Sequence, residues 1–190
     1  MTIAFLHAHP DDEAIFTGGT LARLAAAGYR TVVVVATSGE LGRDDGGNGP
    51  LASRRRAETR AACVELGVAA LHFLPFHDSG LGADAVETHL VEHAHRSLPQ
   101  LGTLGSPTVE IDTTVDVRSV LDAKRRAIDA HVSQVPGDPA AWIPGAGFAD
   151  VYGYEWYLRL GPPGTLDSLV YDDRDPSSEP ALPLGGRPLS

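Results

Sequence analysis

The chain has 190 residues, 43% of them hydrophobic, and a formal net charge of -10 at pH 7, which fits one globular domain with a real core. The acidity opposes a broad nucleic-acid surface, whose affinity comes from neutralised phosphates, and no apolar run reaches the roughly 18 residues expected of a membrane span. A lone cysteine, Cys63, leaves no intrachain disulfide and no cysteine-based zinc cluster.

The N-terminus reaches His and Asp almost at once, so no export leader is expected and the cytoplasm is the expected compartment. Thr2 to Leu6 reads as a strand, continuous as a strand buried on both faces would be. From Ala14 to Ala27 apolar residues recur at helical spacing, and Gly28 is placed to end that helix in a left-handed conformation. A second strand follows over Thr31 to Thr37. Ser38 to Pro50 is rich in Gly and Asp and reads as an active-site loop.

Ser53 is suited to cap a second helix bearing Ala57, Ala61, Val64 and Leu66, with Gly67 at its end. Val68 to Leu74 is the third strand. Beyond Asp78, a helix is expected over Asp84 to Leu98 and a short strand over Thr108 to Thr113. Asp116 is placed to cap a helix over Val117 to Ser133 whose apolar stripe turns His131 inward. Tyr152 to Leu160 suggests a last strand, and residues 161–190 an irregular tail after a domain of residues 1–160. Strands alternating with helices at this spacing imply an α/β, Rossmann-like parallel sheet with helices on both faces and ligands at the C-terminal ends of the strands.

The stretch His7-Ala8-His9-Pro10-Asp11-Asp12-Glu13 sits at such an end. His9 and Asp12 are spaced to converge on one ion across a turn that Pro10 helps to set. An imidazole with a carboxylate suits Zn²⁺ at a catalytic site with an open position. Asp11 can then take the proton of an activated water, and Glu13 suits support of a ligand or of the helix N-terminus. The same residues also suit a surface turn followed by an N-cap. A dinucleotide fingerprint is not supported, because Gly18-Gly19 falls within the first helix and the strand-to-helix turn carries His-Pro-Asp-Asp-Glu.

Ala8-His9-Pro10-Asp11-Asp12-Glu13 after an N-terminal strand resembles the signature of the PIG-L/LmbE-like N-deacetylases. Thr37-Ser38-Gly39-Glu40, Arg55-Arg56-Ala57-Glu58, Asp78-Ser79-Gly80-Leu81 and Asp122-x-Lys124 through Ala130-His131-x-Ser133-Gln134 resemble further parts of that family. The resemblance implies zinc-dependent hydrolysis of the acetamide of an N-acetylated amino sugar or conjugate, with release of acetate. It implies His9 and Asp12 as zinc ligands, Asp11 as general base, Arg55 and Asp78 on substrate oxygens, and His131 reaching the site. Arg55 equally suits a solvated helix face with Glu58 and Glu65, Asp78 a turn before Ser-Gly, and His131 a core histidine.

The family's Gly-His-Pro-Asp-His segment, which supplies a third ligand and a carbonyl-polarising histidine, is not found, and the span from Asp78 to Asp116 is short. His89, His93 and His95 are candidate substitutes. A rival expectation is therefore a catalytically inactive sugar-binding or assembly homologue. The expected partner is a small N-acetyl sugar or glycoconjugate, with neither nucleic acid nor membrane, and a homo-oligomer could complete the site.

Overall fold

The computed structural model describes residues 1–44, 46–78, 111–134 and 145–162. The expected helix carrying His89, His93 and His95, the first half of the expected strand at 108–113 and nearly all of the tail lie outside them. Three strands, β1 (Thr2–His7), β2 (Arg30–Val35) and β3 (Ala70–Phe73), form a parallel sheet in the order β1-β2-β3. Helices α1 (Asp12–Ala26) and α2 (Leu51–Glu65) are the crossovers. The α/β class with a parallel sheet flanked by helices is thus present. After α1, Gly28 takes φ 81°, which ends the helix as its residue type suggests.

The register sets the position of everything that follows. His7 pairs with Val35 and Val35 with Phe73, so the loops after all three strands leave one edge of the sheet together. On one face, Phe5, Val33 and Val35 join Ala14, Leu21 and Leu24 of α1 and Ala62 and Cys63 of α2 in a single core. Burial pushes the Cys63 thiol up to about 12, which makes it a packing residue and not a nucleophile. Leu6 on the other face of β1 is 70% exposed, so among the described residues β1 is not buried on both faces as expected.

Two boundaries shift from the sequence expectation. Pro50 occupies the N-cap position of α2 and makes no side-chain cap bond, so Ser53 falls inside the first turn. The helix expected over 117–133 is shorter, because β4 (Thr113–Asp116) runs into a 3₁₀ turn (Arg118–Val120) and then α3 (Leu121–Asp129). Asp116 does not cap the helix: Val117 precedes the 3₁₀ turn and Val120 precedes α3, and Asp116 Oδ1 instead accepts from Arg118 N at 2.9 Å, two residues on. Beyond Asp129 the chain turns out of the helix, and Ser133 N donates to Glu58 Oε1 at 3.0 Å.

The last strand is also shorter. Tyr152 ends helix α4 (Gly145–Tyr152), and β5 (Tyr154–Tyr157) pairs antiparallel with β4. This two-stranded sheet packs on α1 and α3 around the buried Glu155 carboxylate. Lys124 Nζ donates to Glu155 Oε1 at 2.7 Å, while Gly19 N and Thr20 N donate to the same carboxylate at 2.8 and 2.9 Å. Such close approach needs glycine at position 19, where an added Cβ would lie 2.3 Å from Val117 Cβ. At Gly18 the nearest atom, Lys124 Cγ, would be 3.4 Å away.

These neighbours predict opposite outcomes for one substitution type. Gly19→Ala overpacks against Val117 and is expected to lower stability by about 1–3 kcal/mol. Gly18→Ala is expected to be neutral or to gain up to about 1 kcal/mol from helix propensity. Urea unfolding of both variants beside the parent measures the difference.

Candidate active site

The loop from Ala8 to Asp11 leaves β1 and turns sharply into α1. Asp11 has φ 99° and ψ -29°, the one positive-φ residue other than glycine among those described. Asp tolerates this region better than most residues, but the conformation still needs to be held. Three groups hold it. Asp11 N donates to Glu13 Oε2 at 3.0 Å. Arg55 Nη2 lies 3.0 Å from Asp11 Oδ2, and the Asp11 carbonyl accepts from both Ala14 N and Ile15 N at 3.0 Å. Burial raises the Asp11 carboxyl above its ordinary pKa, with Arg55 and His131 pulling it back.

Arg55 is not on a solvated face. It is 4% exposed, and α2 aims its guanidinium at the carbonyls of Gly39 and Pro10 as well as at Asp11. It therefore stitches the loop after β2 to the loop after β1. Gly39 is required beneath it: φ is 63°, and an added Cβ would lie 2.1 Å from Arg55 Nη1. Glu58, one turn along α2 from Arg55, accepts from Ser133 N and from Ser133 Oγ, the latter at 2.7 Å. The spacing Arg55-x-x-Glu58 puts both on one helix face, a signal that could have marked Glu58 as buried.

His131 is also buried, at 1% exposure, and lies against Glu13, which is 0% exposed. A carboxylate only accepts, so His131 Nε2 donates to Glu13 Oε1, at 2.7 Å. His131 Nδ1 has no hydrogen-bond partner among the described residues. The imidazole thus meets the site from below, through Glu13 and the Asp11 amide. At the start of the loop, His7 Nε2 lies 3.1 Å from Thr17 Oγ1. Burial lowers its pKa, with Glu13 and Asp12 opposing.

His9 is half exposed at the mouth. Its backbone N donates to Asp12 Oδ2 at 2.9 Å, and its Nδ1 stands 3.9 Å from that same oxygen. Its Nε2 stands 3.0 Å from Asp78 Oδ1. Asp78 is tied down in turn, since Leu41 N donates to its Oδ2 at 3.2 Å and Asp78 N donates to Glu40 Oε1 at 2.9 Å. Those contacts hold the Glu40 carboxyl below its usual range, the Asp78 amide being the largest cause. Arg55 and Asp78, expected on substrate oxygens, both also contact protein groups of the neighbouring loops.

Two zinc ligands at bond lengths of about 2.0–2.2 Å stand about 3.3–3.6 Å apart in tetrahedral geometry. His9 Nδ1 and Asp12 Oδ2 need to close by only a few tenths of an ångström to reach that separation. The donor types and their convergence fit the metal. Among the described residues no group of three or more His, Cys, Asp or Glu is arranged to hold an ion, and His89, His93 and His95 lie outside those residues. No described helix is long and apolar enough to cross a membrane.

A family model described as PIG-L, GlcNAc-PI de-N-acetylase, matches residues 4–111. Among curated proteins, the chain is similar to a 1D-myo-inositol 2-acetamido-2-deoxy-alpha-D-glucopyranoside deacetylase of Actinosynnema mirum, 42% identical over 100 residues. That match takes in 46% of this chain and 35% of the relative, so the chain spans about a third of the length of the curated protein it matches. Among solved structures, the N,N'-diacetylchitobiose deacetylase from Pyrococcus horikoshii superposes with a TM-score of 0.58 at 19% identity, over 83% of this chain and 84% of that one. The 4-carboxy-2-hydroxymuconate hydratase of Pseudomonas putida KT2440 gives 0.55 at 19% identity, over 86% and 98%. A deacetylase and a hydratase share the fold, so the reaction has to be argued from the site.

The buried pair under Asp11 carries a prediction of its own. Glu13→Ala strands a buried imidazole and frees the Asp11 amide, with an expected loss of about 3–5 kcal/mol. Glu13→Gln keeps a carbonyl acceptor and should cost less. Chemical denaturation of the two variants and the parent orders them.

Proposed function

Because the chain belongs to the PIG-L, GlcNAc-PI de-N-acetylase family, we propose that it hydrolyses the acetamide of an N-acetylated amino sugar or its conjugate, releasing acetate and a free amine. The observation that carries this reading is His9 Nδ1 facing Asp12 Oδ2 at 3.9 Å, next to an Asp11 carboxylate fixed by Arg55, at the C-terminal edge of a parallel sheet. The name of the curated relative, which describes an acetamido sugar joined to inositol, supports the same substrate class.

His9 and Asp12 are the residues that would hold Zn²⁺. The ion would supply Lewis acidity and make water nucleophilic near neutral pH. The protein's own groups do the rest. Arg55 engages Asp11 Oδ2, and the carboxylate's other oxygen, for which no protein partner is described, is the one assigned to take the proton of the attacking water. The same carboxyl then delivers that proton to the departing nitrogen as the tetrahedral adduct collapses. Glu13, backed by His131, holds the Asp11 amide so that the carboxylate keeps its direction through both transfers.

One observation favours the second reading, an inactive sugar-binding or assembly homologue: the described residues contain no group of three metal-holding side chains. Metal analysis separates the two. An active enzyme should hold about one zinc per chain and lose it in His9→Ala and Asp12→Ala. Asp11→Asn should keep the metal while acetate release from N-acetylglucosamine conjugates falls by about 10²–10⁴. A parent that holds no zinc after loading, and releases no acetate, would leave only the second reading.

A further inference from the structure

The crevice contains a carboxylate whose contacts suit a role other than substrate binding. Asp78 leaves the loop after β3, His9 the loop after β1 and Glu40 the loop after β2. The loops of Glu40 and Asp78 are bonded in both directions: Glu40 Oε1 accepts from Asp78 N at 2.9 Å, and Asp78 Oδ2 accepts from Leu41 N at 3.2 Å. Each loop thereby anchors the other. The carboxylate oxygen left over, Asp78 Oδ1, is the atom at 3.0 Å from His9 Nε2.

Of the two neutral tautomers of the imidazole, this contact favours one. A carboxylate accepts and never donates, so the ring proton belongs on Nε2. A neutral ring has a single N–H, and Nδ1 is then left with its lone pair, 3.9 Å from Asp12 Oδ2. The other tautomer would set a lone pair against Asp78 and a proton where the ion should bind.

We propose that Asp78, latched by Glu40, is a positioning residue for His9: it keeps the proton on Nε2, the ring plane fixed and Nδ1 free for a divalent metal beside Asp12. The proposal rests on the reading of His9 and Asp12 as a metal pair. It assigns Glu40, to which the sequence reading gave no role, the task of holding the residue that orients the ligand. Carboxylates behind ligating histidines raise ligand basicity and metal affinity, and their loss typically weakens binding by about 10–100-fold.

The test uses the full chain in two measurements. Long-range ¹H–¹⁵N correlation on the metal-free protein reads the His9 ring, and competition with a chelator reads zinc affinity. The parent should show a protonated Nε2 with a slowly exchanging ring N–H. Asp78→Ala should lose that protection and bind zinc about 10–100-fold more weakly. Glu40→Ala should weaken both readouts to a smaller degree, and Glu40→Gln, which keeps a carbonyl acceptor for Asp78 N, should restore them.

Unfolding curves verify that each variant is folded, and Glu40→Ala alters only the latch should Asp78→Ala fail to fold. An unchanged His9 ring in folded Asp78→Ala and Glu40→Ala would overturn the proposal, as would unchanged zinc affinity. If the parent binds no zinc but the ring signature behaves as expected, the metal reading fails while the orienting contact stands.

Discussion

Glu13 has no exposed surface, and the arrangement of the crevice follows from the donors its carboxylate has to find. A carboxylate taken out of water is costly unless its oxygens are paired. Oε1 is met by His131 at 2.7 Å, carried in from a segment far along the chain, and Oε2 by the Asp11 amide two residues away. The first contact closes the late segment against α1. The second holds Asp11 in a left-handed conformation that is otherwise unfavourable. Fold closure and site geometry therefore share one side chain.

Two other buried glutamates work in the same way. Glu58 draws the chain after α3 inward by accepting from Ser133 N and Oγ. Glu155 brings the β4–β5 sheet against α1 and α3 by accepting from Gly19, Thr20 and Lys124. Each sits among donors from a distant element, so each fixes one register that a purely apolar contact would specify less sharply. Around this frame the three strand-end loops are cross-linked by Arg55, between Pro10 and Gly39, and by the Glu40–Asp78 latch. Polar contacts thus organise the mouth of the crevice, while Phe5, Val33, Leu21 and Leu24 supply the hydrophobic support underneath.

Much of this was readable beforehand. The apolar runs of β1 and β2, the helical spacing in α1 and the glycine ending it depend on neighbouring residues, and local pattern reports them well. His9, Asp11 and Asp12 were readable because they follow a strand within a few positions. The contacts of Arg55 and Asp78 were not, since a residue's type cannot reveal whether its nearest acceptor is a ligand or another loop. Nor could the pattern distinguish a solvated Arg55-x-x-Glu58 face from a buried one, because charged residues look exposed until their partners are known. The helix expected over 117–133 ended early for a similar reason: Glu58 recruits Ser133, a tertiary contact that helical periodicity does not encode.

By itself, the sequence determined the order β1-α1-β2-α2-β3, the parallel sheet these elements imply and the His-Pro-Asp-Asp-Glu loop at the end of the first strand. All of these are set by short-range spacing, which steric and hydrophobic periodicity make visible along the chain. Only the tertiary structure decided that His131 lies beneath Glu13, that Arg55 ties two loops together and that Asp78 faces His9. Those pairings join residues far apart in sequence. They are chosen by where buried donors and acceptors can satisfy one another, and that choice exists only once the chain has folded.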